Sequence, residues 1–327
     1  VFSRRGNRSW RRDSRENEAV EVIEKRQDMD NGPPSFEQDS NHETRPAATV
    51  DARIVAFADG AAQPRFDTLA TEEPLELRLR AGSATQTAAV TMRTPGNDFE
   101  LAAGFVYGEG LVTSAAALRG ISYCLDPAID AEQRYNIVNV DLAAAALPRL
   151  DALERHFMMT SACGVCGKAS IEALRDRQLR PIASAVRIAP ATVSALPDRL
   201  HRAQRVFRAT GGLHAAALFT AAGEFVALRE DVGRHNAFDK LIGWALMNGR
   251  LPLRDHVVLL SGRASYELLQ KAVSAEIAVV CAVSAPSSLA VDVARAFGVT
   301  LIGFVRDGRF NVYAGAERIA QPKHVRA

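Results

Sequence analysis

An α/β fold preceded by a smaller α+β unit is what the sequence predicts, and three observations predict it. From His256 onward, strand-sized apolar runs alternate with amphipathic helical stretches; between Val50 and residue 150 strand and helix periods are mixed; the first 49 residues carry neither. Residues 1–49 are therefore expected to form a disordered tail, residues 50–150 an α+β domain, and residues 151–327 an α/β domain.

The tail mixes arginines with acids and reaches Pro33-Pro34 and a polar tract. Its start, with Arg4, Arg5, Arg8, Arg11 and Arg12 free of acids, would suit an RNA or lipid-headgroup arm, but it is read as a solvated tail. The arginine pairs lack the apolar stretch of a twin-arginine signal.

Charged residues make up 24% of the chain and the formal net charge is +2, so there is no global field of the kind that gathers nucleic acid or coats a membrane. The four cysteines, Cys124, Cys163, Cys166 and Cys281, are too few and too unevenly spaced for a secreted disulfide framework, which points to a reducing, cytoplasmic setting. The strongest apolar run, Ile277 to Ala285, is strand-sized and well short of the roughly 20 residues a membrane span needs. No nucleic-acid or membrane partner is expected.

Taken in order, "EPLELRLRA" (Glu73 to Ala81) alternates leucines with charges as a half-buried strand does, and "AAVTMRT" can return as its partner. "PGN" (Pro95 to Asn97) reads as a turn, with Asn97 or Asp98 capping a helix that ends near Gly108 and Gly110. "RYNIVNVDL" is a polar strand candidate and is followed by an alanine-rich helical stretch. After the Cys-x-x-Cys loop, "KASIEALRDR" puts Ile171 and Leu174 on one helical face, with Ser170 as a candidate cap. "LHAAALF" and "FVALRED" read as a hairpin, and "NAFDKLIGWALMNG" as an amphipathic helix. The last third then alternates strand and helix, which implies right-handed βαβ crossovers and a parallel layer covered on both faces.

In such a layer, ligands bind beyond the carboxyl ends of the strands. Two junctions there, "SGRAS" (Ser261 to Ser265, with Arg263) and "SAPSS" (Ser284 to Ser288), join small residues and hydroxyls to helix starts, where backbone N–H groups can face an anion. For either junction alone ordinary capping is the simpler account; together with "FVRDGR" (Phe304 to Arg309) they point to a nucleotide-like ligand. None is a Gly-x-Gly-x-x-Gly or Walker loop. "REDVGRHNAFDK" admits two readings, a self-satisfied cap network or a site where Arg234 and His235 meet a phosphate or acid. His214, behind Gly211 and Gly212, is either a satisfied core histidine or a ligand contact.

Cys163 and Cys166 form a Cys-x-x-Cys ahead of a helical pattern. A zinc site wants a second ligand pair, and none has that spacing, so no metal is expected. A redox pair remains open, because a helix N-terminus lowers a thiol's pKa and Lys168 adds charge. The same physics makes a thiolate that accepts a sulfane sulfur as a persulfide and passes it on.

The blocks "SACGVCGKASIEAL", "GGLHAAALF", "EDVGRHNAFDKL", "SGRASYELLQKA", "VSAPSSLAV" and "LIGFVRDGRFNVY" together resemble the formate dehydrogenase accessory sulfurtransferase family, FdhD, in collinear order from about Glu73 to Ile319. Alanine at Ala162 stands where serine is common in that family. The resemblance implies a C-terminal cytidine-deaminase-like three-layer domain with a mixed, largely parallel sheet, in a homodimer. It implies sulfur transfer: a cysteine desulfurase loads a persulfide, and the protein delivers the sulfur to the molybdenum bis(molybdopterin guanine dinucleotide) cofactor, bound as substrate, before insertion into the formate dehydrogenase catalytic subunit. The family's persulfide cysteine falls on Cys163, its second cysteine on Cys166, and its cofactor-binding stretch on Phe304, Val305, Arg306, Asp307, Gly308 and Arg309. Arg263 and His214 are further candidate cofactor contacts. Delivery of the cofactor without covalent transfer, and thiol-disulfide exchange, are the alternatives.

Overall fold

The computed structural model describes residues 46–148 and 167–320. Most of the expected tail, and the loop with Cys163 and Cys166, lie outside the described residues.

The described residues open with a ribbon that the sequence reading did not anticipate. Strands β1 (Thr49–Ala58) and β2 (Ala61–Ala70) pair antiparallel along their full length. They turn at Asp59 and Gly60, both in the left-handed region, as a two-residue hairpin that matches strand twist requires.

A four-stranded sheet follows, built from β3 (Glu73–Ala81), β4 (Ala84–Arg93), β5 (Leu118–Tyr123) and β6 (Ile137–Leu142) in the order β4-β3-β6-β5. Leu75, Leu77 and Leu79 of β3 point inward as their alternation predicts. They pack under α1 (Asp98–Gly108), which presents Leu101, Ala102 and Val106 to them. Asn97 is the residue before α1 but its side chain makes no cap bond; a left-handed backbone sets the helix entry instead. Asp98 is drawn inward to Arg93, which is fully buried and held also by Glu73, the Tyr135 carbonyl and Asn136. The short helix α2 (Ala131–Arg134) precedes β6. Beyond Leu142 the alanine run bends through residues 143–146, so no helix starts there within the described residues.

The second sheet has six strands, β7 (His214–Thr220), β8 (Phe225–Asp231), β9 (His256–Leu260), β10 (Val279–Ala282), β11 (Thr300–Arg306) and β12 (Arg309–Ala314), in the order β12-β11-β10-β9-β7-β8. Only β9, β10 and β11 are mutually parallel. The β7–β8 and β11–β12 hairpins return antiparallel because their loops are too short for a crossover, so the sheet is mixed rather than largely parallel. Nearly every residue of β9 and β10 is buried, as expected of strands covered on both faces.

Helices α3 (Gly167–Asp176), α4 (Pro190–Ala203), α5 (Arg205–Thr210), α6 (Arg234–Met247), α7 (Tyr266–Ser274) and α8 (Ser288–Ala296) complete the chain. Ser170 lies inside α3 rather than at its cap. The chain just after α3 is anchored where α1 and α8 end: Arg177 donates to the Gly108 carbonyl (2.9 Å) and Ile182 N–H to the Phe297 carbonyl (2.8 Å).

Candidate functional site

Five segments far apart in sequence come together at the carboxyl edge of β9, β10 and β11. β7 runs antiparallel to β9, so its first residue, His214, stands at the end where β9 stops and the Ser261 to Ser265 loop begins. β8 ends at the same edge with Asp231, paired to His214, and α6 starts three residues later.

The loops at this edge are joined by backbone hydrogen bonds. Ala264 N–H donates to the Ala285 carbonyl (3.2 Å), Ser287 N–H to the Ala264 carbonyl (2.9 Å), and Phe304 N–H to the Ser284 carbonyl (3.2 Å). A Cβ at Gly303 would stand 2.9 Å from both Pro286 Cδ and a Tyr313 ring carbon, so glycine is what lets β11 come this close to the Ser284 to Ser288 loop. Gly262 plays the same part opposite His214: a Cβ there would be 3.3 Å from His214 Nδ1 and 3.8 Å from Arg234 Cδ.

The twelve-residue polar cluster divides between the two readings. Asp231 accepts from Gly233 N–H (2.8 Å) and Asn236 Nδ2 (3.0 Å), and pairs with Lys240 Nζ at 2.7 Å. All three side chains are buried and tie α6 to the first sheet, Asn236 through the Met92 carbonyl and Lys240 through the Thr94 carbonyl. They are structural. Arg234 and His235, on the first turn of α6, are left to the edge.

Arg234 Nε is buried without a hydrogen-bond acceptor among the described residues. A buried guanidinium N–H is costly to leave unpaired, and here it lies beside His214 at three loop ends. Burial lowers the His214 pKa, and Arg234 and His235 lower it further, so the imidazole is neutral at pH 7. His214 Nδ1 faces Ser261 Oγ at 3.5 Å, and that hydroxyl also accepts from Ala215 N–H (2.8 Å). His235 Nε2 lies 3.3 Å from Ser265 Oγ and 3.8 Å from Glu267. The His235 contact holds the Glu267 carboxyl down at about 2, against the opposing pull of burial. Neutral His214, unpaired Arg234 Nε and the N-termini of α6 and α7 make an edge rich in donors for an anion.

Arg263 lies in the first of these loops and is exposed. Phe304 to Arg309 form the end of β11 and its turn into β12, with Phe304, Asp307 and Gly308 in the left-handed region. Arg306, Asp307, Gly308 and Arg309 are exposed, and the Arg306 guanidinium lies over the Phe304 ring at 5.6 Å. Val305 is fully buried in the core, so only its backbone is available to a ligand. Cys163 and Cys166 lie outside the described residues.

Next to the edge is a cleft of about 470 Å³ that sequence reasoning missed. Its apolar wall includes Val90, Met92, Leu101 and Phe105; its polar floor holds Glu109, Asp239 and Lys271. Lys271 Nζ is 2.8 Å from Asp239 and 3.1 Å from Glu109. Burial opposes the lysine's charge, but the two carboxylates outweigh it and raise its pKa. Burial pushes the Asp239 carboxyl up to about 6, Lys271 only partly offsetting it.

Residues 70–320, most of the described chain, match the model of the FdhD/NarQ family. The chain belongs to the FdhD/NarQ family. Among relatives of this family member, the Sulfur carrier protein FdhD of Streptomyces coelicolor is 53% identical over 270 residues, covering 82% of this chain and 94% of that protein. The protein of the same name from Mycobacterium tuberculosis is 48% identical over 276 residues, covering 83% and 99%. A crystal structure of a candidate formate dehydrogenase accessory protein from Desulfotalea psychrophila matches with a TM-score of 0.64 at 24% identity, over 84% of this chain and all of that one. That likeness concerns the fold.

Proposed function

We propose that this FdhD/NarQ member is a cytoplasmic sulfur carrier for formate dehydrogenase. Cys163 takes a sulfane sulfur from a cysteine desulfurase, and the sulfur goes to the molybdenum bis(molybdopterin guanine dinucleotide) cofactor held as substrate at the strand-end edge. The observation that carries this reading is the gathering of unpaired Arg234 Nε, neutral His214 and two helix N-termini at one edge, in a chain whose relatives are named sulfur carriers.

The Cys163 thiolate attacks the outer sulfur of the desulfurase's persulfide; a Cys163 Sγ–S bond forms, the desulfurase's S–S bond breaks, and its thiolate leaves. Cys166 then attacks Cys163 Sγ, making a Cys163–Cys166 disulfide and releasing the outer sulfur as hydrosulfide to the cofactor; an external dithiol reduces the disulfide for the next cycle. The edge binds the cofactor's anionic phosphates: Arg263, Arg306 and Arg309 supply charge, Phe304 a ring face, and Val305, Asp307 and Gly308 backbone groups. A homodimer that meets the desulfurase and the formate dehydrogenase catalytic subunit in turn completes the reading.

The test is Cys163→Ala, followed for formate dehydrogenase activity and for guanine nucleotide binding. Activity should vanish while binding persists. Mass spectrometry after incubation with a desulfurase and cysteine should find an added sulfur of about 32 Da on Cys163 of the unmodified chain. Surviving activity would mean that the protein only delivers the cofactor; a Cys163–Cys166 disulfide with no sulfur ever added would mean simple thiol exchange.

A further inference from the structure

Along α4 and α5 an arginine stands at every third position: Arg199, Arg202, Arg205 and Arg208. α4 ends at Ala203 and α5 begins at Arg205, so this period runs across a break between two helices rather than along one amphipathic face. Packing does not explain it. The buried positions of α4 are Val193, Leu196 and Leu200, and the heads of Arg202 and Arg208 are exposed.

The way these heads are held is unusual for surface arginines. Arg202 Nε donates to the Asp198 carbonyl (3.3 Å), Arg208 Nη1 to the Arg202 carbonyl (2.9 Å), and Arg199 Nη1 to the Gly223 carbonyl. No carboxylate among the described residues pairs with any of these three. Asp198, one turn before Arg202, gives it only a backbone oxygen. The acid nearest by placement, Glu230, is occupied: its two oxygens accept from the N–H groups of Arg205, Val206 and Phe207 (3.0, 3.1 and 2.8 Å). The guanidinium groups of Arg199, Arg202 and Arg208 are thus held by neutral carbonyls, with most of their five donors and all of their charge unspent.

Strand β2 packs on α5, and Gly212, just after α5, approaches Ala70 at the base of the ribbon. Cross-strand pairing puts Val55, Phe57 and Phe66 on one face of that ribbon. Phe57 is 76% exposed and Phe66 69% exposed, the latter with only the Arg53 guanidinium of the same ribbon over its ring at 5.6 Å, so the ribbon carries large apolar side chains that the rest of the chain does not cover. A two-stranded ribbon is marginal by itself in water, and a long apolar one is costly to leave bare.

We infer that Arg199, Arg202 and Arg208 on α4 and α5, with the adjoining β1–β2 ribbon, dock the acidic surface of a protein partner. Three arginines without a carboxylate partner among the described residues, beside exposed phenylalanines, have the composition of a protein interface. A polynucleotide is disfavoured because the whole chain carries a net charge of only +2. The inference is independent of the strand-end edge and of the thiol chemistry.

The test uses the full chain and a fluorescein-labelled glutamate-rich peptide carrying leucines, with single-stranded RNA and phosphatidylglycerol vesicles as rival probes. The peptide should bind saturably, more weakly as salt rises. Arg202→Glu with Arg208→Glu should weaken it by about tenfold or more, while Arg202→Lys with Arg208→Lys should keep most of it. The melting temperature should stay put, since these heads make no ion pair; should the glutamate pair fail to fold, Arg202→Gln with Arg208→Gln is judged by the same criterion. Undiminished binding in the charge-altered variant, no binding by the native chain, or tighter binding of RNA or vesicles than of peptide would each overturn the inference.

Discussion

Gly104 of α1 and Gly243 of α6 bring their helices into backbone contact. A Cβ on Gly104 would lie 1.8 Å from the Asp239 carbonyl oxygen, and one on Gly243 would lie 1.8 Å from that of Glu100. This crossing joins the core of the four-stranded sheet to the helix that opens at the strand-end edge. Gly104→Ala or Gly243→Ala must push the helices apart, and each should cost about 3 kcal/mol or more, at or beyond the upper end of ordinary overpacking. Gly120→Ala, where the nearest atom to a new Cβ is 3.8 Å away, is the control and should cost far less. Guanidinium denaturation of the three variants reads the difference.

Lys271 is 4% exposed and holds two carboxylates. Lys271→Met should destabilise the protein by about 3–5 kcal/mol, because it leaves buried charge unpaired. It should also drive the Asp239 pKa further up from about 6, so that lowering the pH from 7 to 5 restores part of the loss. Melting curves of the variant at several pH values decide; a loss that does not depend on pH would contradict it.

His214 has a lowered pKa in the folded protein. The unfolded chain protonates this histidine near pH 6.5 while the folded chain resists, so its contribution to stability is present at neutral pH and is lost as pH falls below 6.5. A phosphate bound at the edge would favour the imidazolium, so binding should take up a proton. Guanosine diphosphate affinity, measured by calorimetry in buffers of different ionisation enthalpy, should rise as pH falls through this window. In His214→Gln that pH dependence should disappear.

Glu267 owes its low pKa, about 2, first to His235. Removing that partner in His235→Ala should let the carboxyl titrate nearer its usual 4.5, a shift that carbon-detected NMR of the side chain will show. An unmoved titration would mean that the Ser265 contact suffices.

Arg234 Nε is a buried donor with no acceptor among the described residues. Arg234→Lys keeps the charge but loses the forked donors, and should weaken guanosine diphosphate binding by about tenfold with little change in melting temperature. A large fall in stability instead would assign Arg234 to the fold.

The βαβ alternation after His256 was legible because each element has one clear period and ends at a turn residue. The β7–β8 hairpin was legible for the same reason. The β1–β2 ribbon was missed although Asp59-Gly60 is a hairpin signal, because its strands leave Val55, Phe57 and Phe66 exposed and so lack the alternation of a half-buried strand. At the strand-end edge, the sequence pointed to His214 and the two loops as separate candidates. Their meeting depends on β7 lying antiparallel beside β9, a pairing no local pattern states. The division of the polar cluster, with Asp231, Asn236 and Lys240 turned inward and Arg234 and His235 toward the edge, depends on the end of β4 lying beside α6, where Met92 and Thr94 meet the inward side chains. The Lys271 cleft was invisible because Glu109, Asp239 and Lys271 come from three helices or their ends.

The hydrogen bonds that run from Ala264 N–H to the Ala285 carbonyl and from Phe304 N–H to the Ser284 carbonyl have a genetic consequence. Loops stitched in this way cannot be retuned one at a time. A lesion in the Ser261 to Ser265 loop should be corrected by second changes in the Ser284 to Ser288 loop or around Gly303, more often than by changes within its own five residues. Selection for the activity proposed above would map the physical extent of the edge without any ligand being seen.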